Sequence, residues 1–319
     1  MTDKPIAMRD ALLARIWETM STDNAIFFTC ADFGSPVLDK IRADFPDRFV
    51  NVGVAEQNLI NVSAGLALEG YKVFAYAIAP FITMRCYEQV RVSLALLSEV
   101  RPMNINLIGV GAGYSYVVSG PTHQCYEDIT LMRALPNFRV LSPADHETAA
   151  RLFDICIENR GPKYLRFDAQ VLPLVGDERG IPLEDGFRTL RKGSRICVIS
   201  TGYMTQVATK VLDRLKSAGL DLTHIDLFDI THFDSDKMDA LLRAHEGLVT
   251  MEEGFKGRGG VDSMFFDYVN SRGIPIRHLN IGVTGTYQFE LGTRADLHEN
   301  VGIGEESVHT AVTKFAAAL

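Results

Sequence analysis

The stretch Phe49-Val-Asn-Val-Gly-Val-Ala-Glu-Gln-Asn58 decides how this chain is read, because it sets one carboxylate, Glu56, inside an almost wholly apolar run. Before it, Phe49 to Val54 reads as a buried strand. After it, Leu59, Ile60, Val62, Leu66 and Leu68 recur at helical spacing, with small Ser63, Ala64 and Gly65 between them. A strand, a tight turn and a buried helix follow from that pattern. Glu56 falls in the first turn of the helix, where the helix dipole offsets part of its charge. A carboxylate in such surroundings is costly unless something specific binds it. Glu56 is therefore a candidate for acid–base work; a glutamate that only caps its own helix is the alternative.

Outward from this unit the same alternation repeats. Strand-like runs are expected at 25–30, 49–53, 72–77, 104–110, 138–142 and 163–167, with helical runs at 8–20, 56–69, 84–98 and 146–159. Such alternation predicts a mainly parallel sheet covered on both faces. From Val171 to Gly193 the texture changes to Pro173, Gly176, Gly180, Pro182 and Gly186 among charges, the mark of a linker. A second, smaller unit follows, with strands near 195–200, 222–227, 247–252 and 276–281. The reading is thus of two α/β domains, 1–175 and 193–319, joined by a linker over 176–192.

Composition limits the possible partners. The 319 residues suffice for two domains with full cores. Thirty-two basic against 40 acidic residues give a net charge of −8, and no basic run interleaved with aromatics occurs, which argues against nucleic acid. The five cysteines are odd in number and widely spaced, with no metal-ligand pattern, so reduced thiols and no bound metal are expected. No signal peptide and no membrane-spanning run is legible, and a cytoplasmic protein is expected.

Four features fall at loops or strand ends of the first domain, where open parallel sheets place their ligands. They are Ala31-Asp32-Phe33-Gly34-Ser35, the Glu56 turn, Ala79-Pro80-Phe81-Ile82, and Gly120-Pro121-Thr122-His123-Gln124. Arg166 closes the last strand. With VGVAEQN (52–58), MRCYEQVR (84–91), SGPTHQCYEDITLMRALPN (119–137) and LSPAD (141–145), these motifs in this order resemble the pyrimidine-binding domain of transketolase and of the related 1-deoxyxylulose-5-phosphate synthases. VTMEEG (249–254) and the trailing unit are similar to the C-terminal domain of the same family.

The resemblance implies thiamin diphosphate as cofactor. In that family a glutamate hydrogen-bonds N1′ of the cofactor's pyrimidine, so that its 4′-amino group becomes basic enough to deprotonate the thiazolium carbon. Glu56 matches that glutamate. Phe81, or Ile82 under a shifted local alignment, matches the residue stacked on the pyrimidine. His123 matches a histidine facing the substrate near the reacting carbon. Arg166 matches an arginine that holds a sugar phosphate, a role its forked donors suit; the alternative is a partner for Asp168 or Asp145. Asp32 lies on the loop that approaches the cofactor. Ser35, Ser119 and Gln124 are expected on the substrate side.

Two departures qualify the resemblance. The Gly-Asp-Gly motif and the later asparagine that hold the diphosphate and its Mg²⁺ or Ca²⁺ are absent from the chain. The resemblance therefore implies a separate diphosphate-binding subunit, in a heterotetramer with two copies of each chain and self-association through the pyrimidine or C-terminal domain. Gly111 and Ser119 also stand where sugar-phosphate transketolases carry a histidine and an acidic residue, with Tyr114 and Tyr116 nearby. The expected activity is transfer of a two-carbon ketol unit from a ketose phosphate or modified sugar to an aldehyde. The alternatives are a pyruvate-using carboligase, the beta subunit of a 2-oxo-acid dehydrogenase, and a non-catalytic assembly subunit.

Overall fold

The computed structural model describes residues 5–176 and 180–319. Two sheets organise it. The first contains β1 (Ile26–Cys30), β2 (Phe49–Asn51), β3 (Lys72–Ile78), β4 (Asn104–Val110), β5 (Arg139–Leu141) and β6 (Gly161–Phe167), all parallel, in the order β2-β1-β3-β4-β6-β5. β1 and β4 are buried along their whole length, as expected of strands covered on both faces. One face is covered by helices Met8–Met20 and His146–Glu158, whose Leu12, Ile16, Leu152 and Phe153 pack with Phe28 and Phe74. Helix Glu56–Leu68 and the helical stretch 81–100 cover the other, through Leu59, Ile60, Val90 and Leu94.

The second sheet contains β7 (Phe187–Arg191), β8 (Ile196–Ser200), β9 (Thr223–Leu227), β10 (Gly247–Phe255) and β11 (Arg277–Val283), in the order β11-β10-β8-β9-β7, with only β7 antiparallel. Its helices include Tyr203–Ser217, Val261–Ser271 and Glu305–Ala318. The β5 edge of the first sheet meets the segment that follows β9: Ile230 N–H donates to Val140 O and Ser142 N–H to Phe228 O. The two-domain α/β architecture is as expected from the sequence.

Three local differences matter. The linker expected over 176–192 carries β7, so the second domain begins before 187; residues 177–179 lie outside the described residues. β7 was hidden because Phe187-Arg-Thr-Leu-Arg191 is short and charged, as suits an edge strand. The strand at Phe49 is also an edge, three residues long and only half-buried, and Val54 beyond it is 72% exposed. Finally, the helix expected over 84–98 starts at Phe81 and is wound as π-helix over Phe81–Arg85 and Val90–Leu96. Ile82, Cys86, Val90 and Leu94 are all buried at a strict spacing of four. That repeat exceeds the 3.6 residues of an α-helical turn, and wider turns keep all four on the core side.

Candidate active site

The strand order reverses at β1, with β2 on one side and β3 on the other. The loops leaving β1, β2 and β3 therefore diverge and open a crevice at the carboxyl ends of the strands. Asn51 fixes two of them: its Oδ1 accepts from Asp32 N–H at 2.9 Å and from Gly53 N–H at 3.0 Å. Asp32, exposed, adopts a left-handed backbone with φ of 49°. Glu56 then opens its helix, 2% exposed, as the apolar pattern around it predicted.

The structure supplies this carboxylate with a partner that the sequence did not reveal. Arg85 Nη1 lies 2.7 Å from Glu56 Oε2. The same guanidinium sits over the Phe81 ring, 4.3 Å from its centroid, and the His123 ring meets Phe81 edge-on at 5.3 Å. Glu56, Arg85, Phe81 and His123 thus form one continuous set drawn from a helix start, a π turn and a loop. Ile82 takes no part: it is fully buried in the core behind them. Of the two residues offered for the stacking position, Phe81 is the one in contact with Arg85 and His123.

His123 stands on the long loop after β4. The base of that loop is pinned by reciprocal backbone bonds between Gly113 and Cys125 and by Gly111 and Ala112 N–H groups donating to Phe167 O. At its tip, His123 Nδ1 lies 3.0 Å from Thr122 Oγ1. Gly111 has φ of 100°, and a Cβ there would strike the Tyr116 ring, so both the backbone and the close ring call for glycine. Tyr114 is fully buried against Tyr126 and His298, within the second domain's core, and does not face substrate. Ser119 is exposed on the same loop. Gln124 is buried; its Oε1 accepts from Tyr126 OH and its Nε2 has no protein partner among the described residues.

Two expected substrate contacts are engaged elsewhere. Arg166 is 3% exposed, donates Nε to Asp128 Oδ2 at 2.8 Å and Nη2 to Glu253 O at 3.0 Å. Its partner is therefore neither Asp168 nor Asp145 but Asp128, which also accepts from Tyr164 OH. Arg166 is thus a buried strut between the domains, engaged through Nε and Nη2. Ser35 Oγ accepts from Leu38 N–H at 3.1 Å and caps helix Pro36–Asp44, a structural use of its hydroxyl.

A second buried cluster locks the loop after β6 to the C-terminal domain. Arg294 pairs with Asp168 at 2.6 Å and with both oxygens of Glu253, and its guanidinium lies 3.4 Å from the Tyr203 ring centre. His298 Nε2 is 2.6 Å from Glu253 Oε1. Burial alone would raise the Glu253 carboxyl, but Arg294 and His298 hold it well below the usual range. Burial raises Asp168 above its ordinary value in spite of Arg294. Burial also pushes Glu252, the residue before Glu253, up to about 7. Its Oε1 accepts from Asp262 N–H at the start of helix Val261–Ser271, and its Oε2 has no partner among the described residues. The glycine-rich loop 254–260 packs between domains, where Arg133 donates to Gly259 O and Gly260 O.

These residues fit one half of thiamin diphosphate. A buried carboxylate facing an aromatic ring is a seat for a flat, hydrogen-bonding pyrimidine. For the diphosphate there is no Gly-Asp-Gly in the sequence, and among the described residues no cluster of three His, Cys, Asp or Glu could hold a metal. All five cysteines are free and buried, and no helix of the described residues is long and apolar enough to cross a membrane.

Comparison with known proteins shows the family. The family model of the transketolase pyrimidine-binding domain matches residues 4–174, and that of the transketolase C-terminal domain matches 186–308. One subunit of the apulose-4-phosphate transketolase of Actinobacillus succinogenes is 28% identical over 265 residues, which is 83% of this chain and 84% of that protein. The 1-deoxy-D-xylulose-5-phosphate synthase of Shouchella clausii is 29% identical over 90% of this chain, which spans only 45% of that enzyme. A split-gene transketolase solved as an inactive beta4 tetramer superposes with a TM-score of 0.85 at 30% identity, covering 97% of this chain and 98% of its own. The chain belongs to the transketolase family and carries that family's pyrimidine-binding and C-terminal domains.

Proposed function

We propose that the chain is the pyrimidine-binding subunit of a split, thiamin-diphosphate-dependent transketolase that moves a two-carbon ketol unit from a ketose to an aldehyde. The observation that carries this is the Glu56–Phe81–His123 set in the crevice of a transketolase pyrimidine domain. When bound, the cofactor supplies the nucleophilic carbon that accepts the ketol unit. The residues of the chain do the rest. Glu56 holds a proton-sharing hydrogen bond at N1′ of the pyrimidine, the interaction that makes the neighbouring amino group basic. Phe81 offers its face to the ring. His123, on the long loop above, faces the substrate and can exchange a proton with its hydroxyl or carbonyl oxygen.

The diphosphate and its Mg²⁺ or Ca²⁺ belong to a second subunit in this reading. Uncovered apolar side chains support a missing neighbour: Val54, Met84, Val92, Leu96 and Val100 are exposed on the elements that carry Glu56 and Phe81. Patches of that kind mark interaction surfaces. The relatives include one subunit of an apulose-4-phosphate transketolase and a split-gene beta4 tetramer, which supports a separate partner subunit and self-association; the two-plus-two stoichiometry is part of the proposal. Gly111, packed against the Tyr116 ring, and Ser119 stand where transketolases of simple sugar phosphates carry a histidine and an acidic residue, so the donor sugar differs from theirs.

The test is reconstitution. A neighbouring reading frame should encode a Gly-Asp-Gly protein that co-elutes with this chain as a two-plus-two complex and binds thiamin diphosphate only in that form. Tight binding by the chain alone, or no binding by the complex, refutes the proposal.

A further inference from the structure

The Arg85 guanidinium has the properties of the group that Glu56 and Phe81 are proposed to receive. It is planar, it donates an N–H to the Glu56 carboxylate at 2.7 Å, and it lies over the face of the Phe81 ring at 4.3 Å. These are the two contacts that a hydrogen-bonding aminopyrimidine needs. A guanidinium and a pyrimidine cannot both cover one face of one phenyl ring and meet the same carboxylate oxygen. The side chain is also free to leave: it is 45% exposed, and among the described residues Glu56 is its sole hydrogen-bond partner. Glu56, by contrast, is buried and cannot turn to water when its partner departs.

We propose that Arg85 is a placeholder: it occupies the pyrimidine's seat in the unloaded chain and is displaced into solvent when the cofactor enters. This inference rests on the cofactor reading given above. It explains how a chain with half a site keeps a buried carboxylate satisfied before assembly, since an unpaired buried charge is strongly destabilising. It also gives the cofactor a competitor inside the protein, so that part of its binding energy goes into breaking the Glu56–Arg85 contact. A residue that merely orients Glu56 would stay in place and assist binding. The two roles predict opposite signs.

The experiment measures the dissociation constant of thiamin diphosphate, with Mg²⁺ present, for the assembled complex carrying wild-type, Arg85→Met or Arg85→Gln chain. The melting temperature of each unassembled chain is recorded in parallel. Methionine keeps an apolar stem over Phe81, and glutamine keeps a planar donor without charge, so a folding failure in one leaves the other. The expected result is cofactor binding about three- to ten-fold tighter in both variants, the scale of a lost half-exposed ion pair. The unassembled variants should melt several degrees below wild type. Binding that is unchanged or weaker, with wild type binding normally, overturns the placeholder role and leaves the cofactor assignment standing. No binding by the wild-type complex overturns the cofactor assignment, and the placeholder with it.

Discussion

Arg294→Ala should be among the most damaging single changes outside the crevice, and its cost can be worked from the contacts. Arg294 is the shared cation of two buried carboxylates, Asp168 from the first domain and Glu253 from the second. Removing one partner of a buried ion pair costs about 3–5 kcal/mol, because the remaining charge is left uncompensated. Three things decide where in that range the variant falls. Glu253 keeps His298 at 2.6 Å and the Tyr114 N–H, which soften its loss. Asp168 is already raised by burial and takes up a proton more easily than Glu253. The lost cation–ring contact with Tyr203 adds on the order of 1 kcal/mol. An expected loss of about 3–4 kcal/mol follows, a large share of the roughly 5–15 kcal/mol typical of a folded domain. Urea unfolding of the unassembled chain measures it. The pH dependence is a second check. Glu253 is held below its ordinary value, so its stabilisation is present above the usual carboxylate range and is lost as pH falls. The gap between wild type and variant should therefore be widest near neutrality and narrow in acid. A loss below about 1 kcal/mol, or a gap that widens in acid, refutes the reasoning.

Three further outcomes are expected. Glu56→Gln should lower turnover of the assembled enzyme by at least about 100-fold, the scale of a lost acid–base contact, while assembly persists; substantial retained activity removes its role. Arg166→Met should destabilise the unassembled chain by about 3–5 kcal/mol through the stranded Asp128. A raised KM with an unchanged unfolding midpoint would instead restore the phosphate contact. Glu252 is raised to about 7, so the stability it contributes is present below the ordinary carboxylate range and lost as pH rises through 7. Against a Glu252→Gln variant, wild type should lose on the order of 3 kcal/mol between about pH 4 and pH 8, read by unfolding midpoints across that range.

How legible these features were depended on distance along the chain. Buried strands such as Asn104–Val110 and the helix Met8–Met20 were readable to the residue, because burial writes a local period into the sequence. Glu56 was visible as a polar residue in an apolar run. Arg85 was not: it sits inside MRCYEQVR, but its partner is 29 positions away and its aim depends on a π turn. The Asp168–Arg294–Glu253 lock joins three distant segments and leaves no periodic trace. Arg166 shows the same gap. A guanidinium at a strand end suits a phosphate, yet the sequence could not show that Asp128 is folded beneath it. Charges reveal themselves in sequence; their partners do not.

The central claim is that this chain contributes half of a transketolase-type active site. Its most direct test is turnover: the chain, its Gly-Asp-Gly partner, thiamin diphosphate and Mg²⁺ are assayed with a panel of ketose donors and with pyruvate, using aldehyde acceptors. The account predicts ketol transfer from a ketose only when both subunits are present, and no carbon dioxide from pyruvate. Carbon dioxide release from pyruvate without ketol transfer would contradict it.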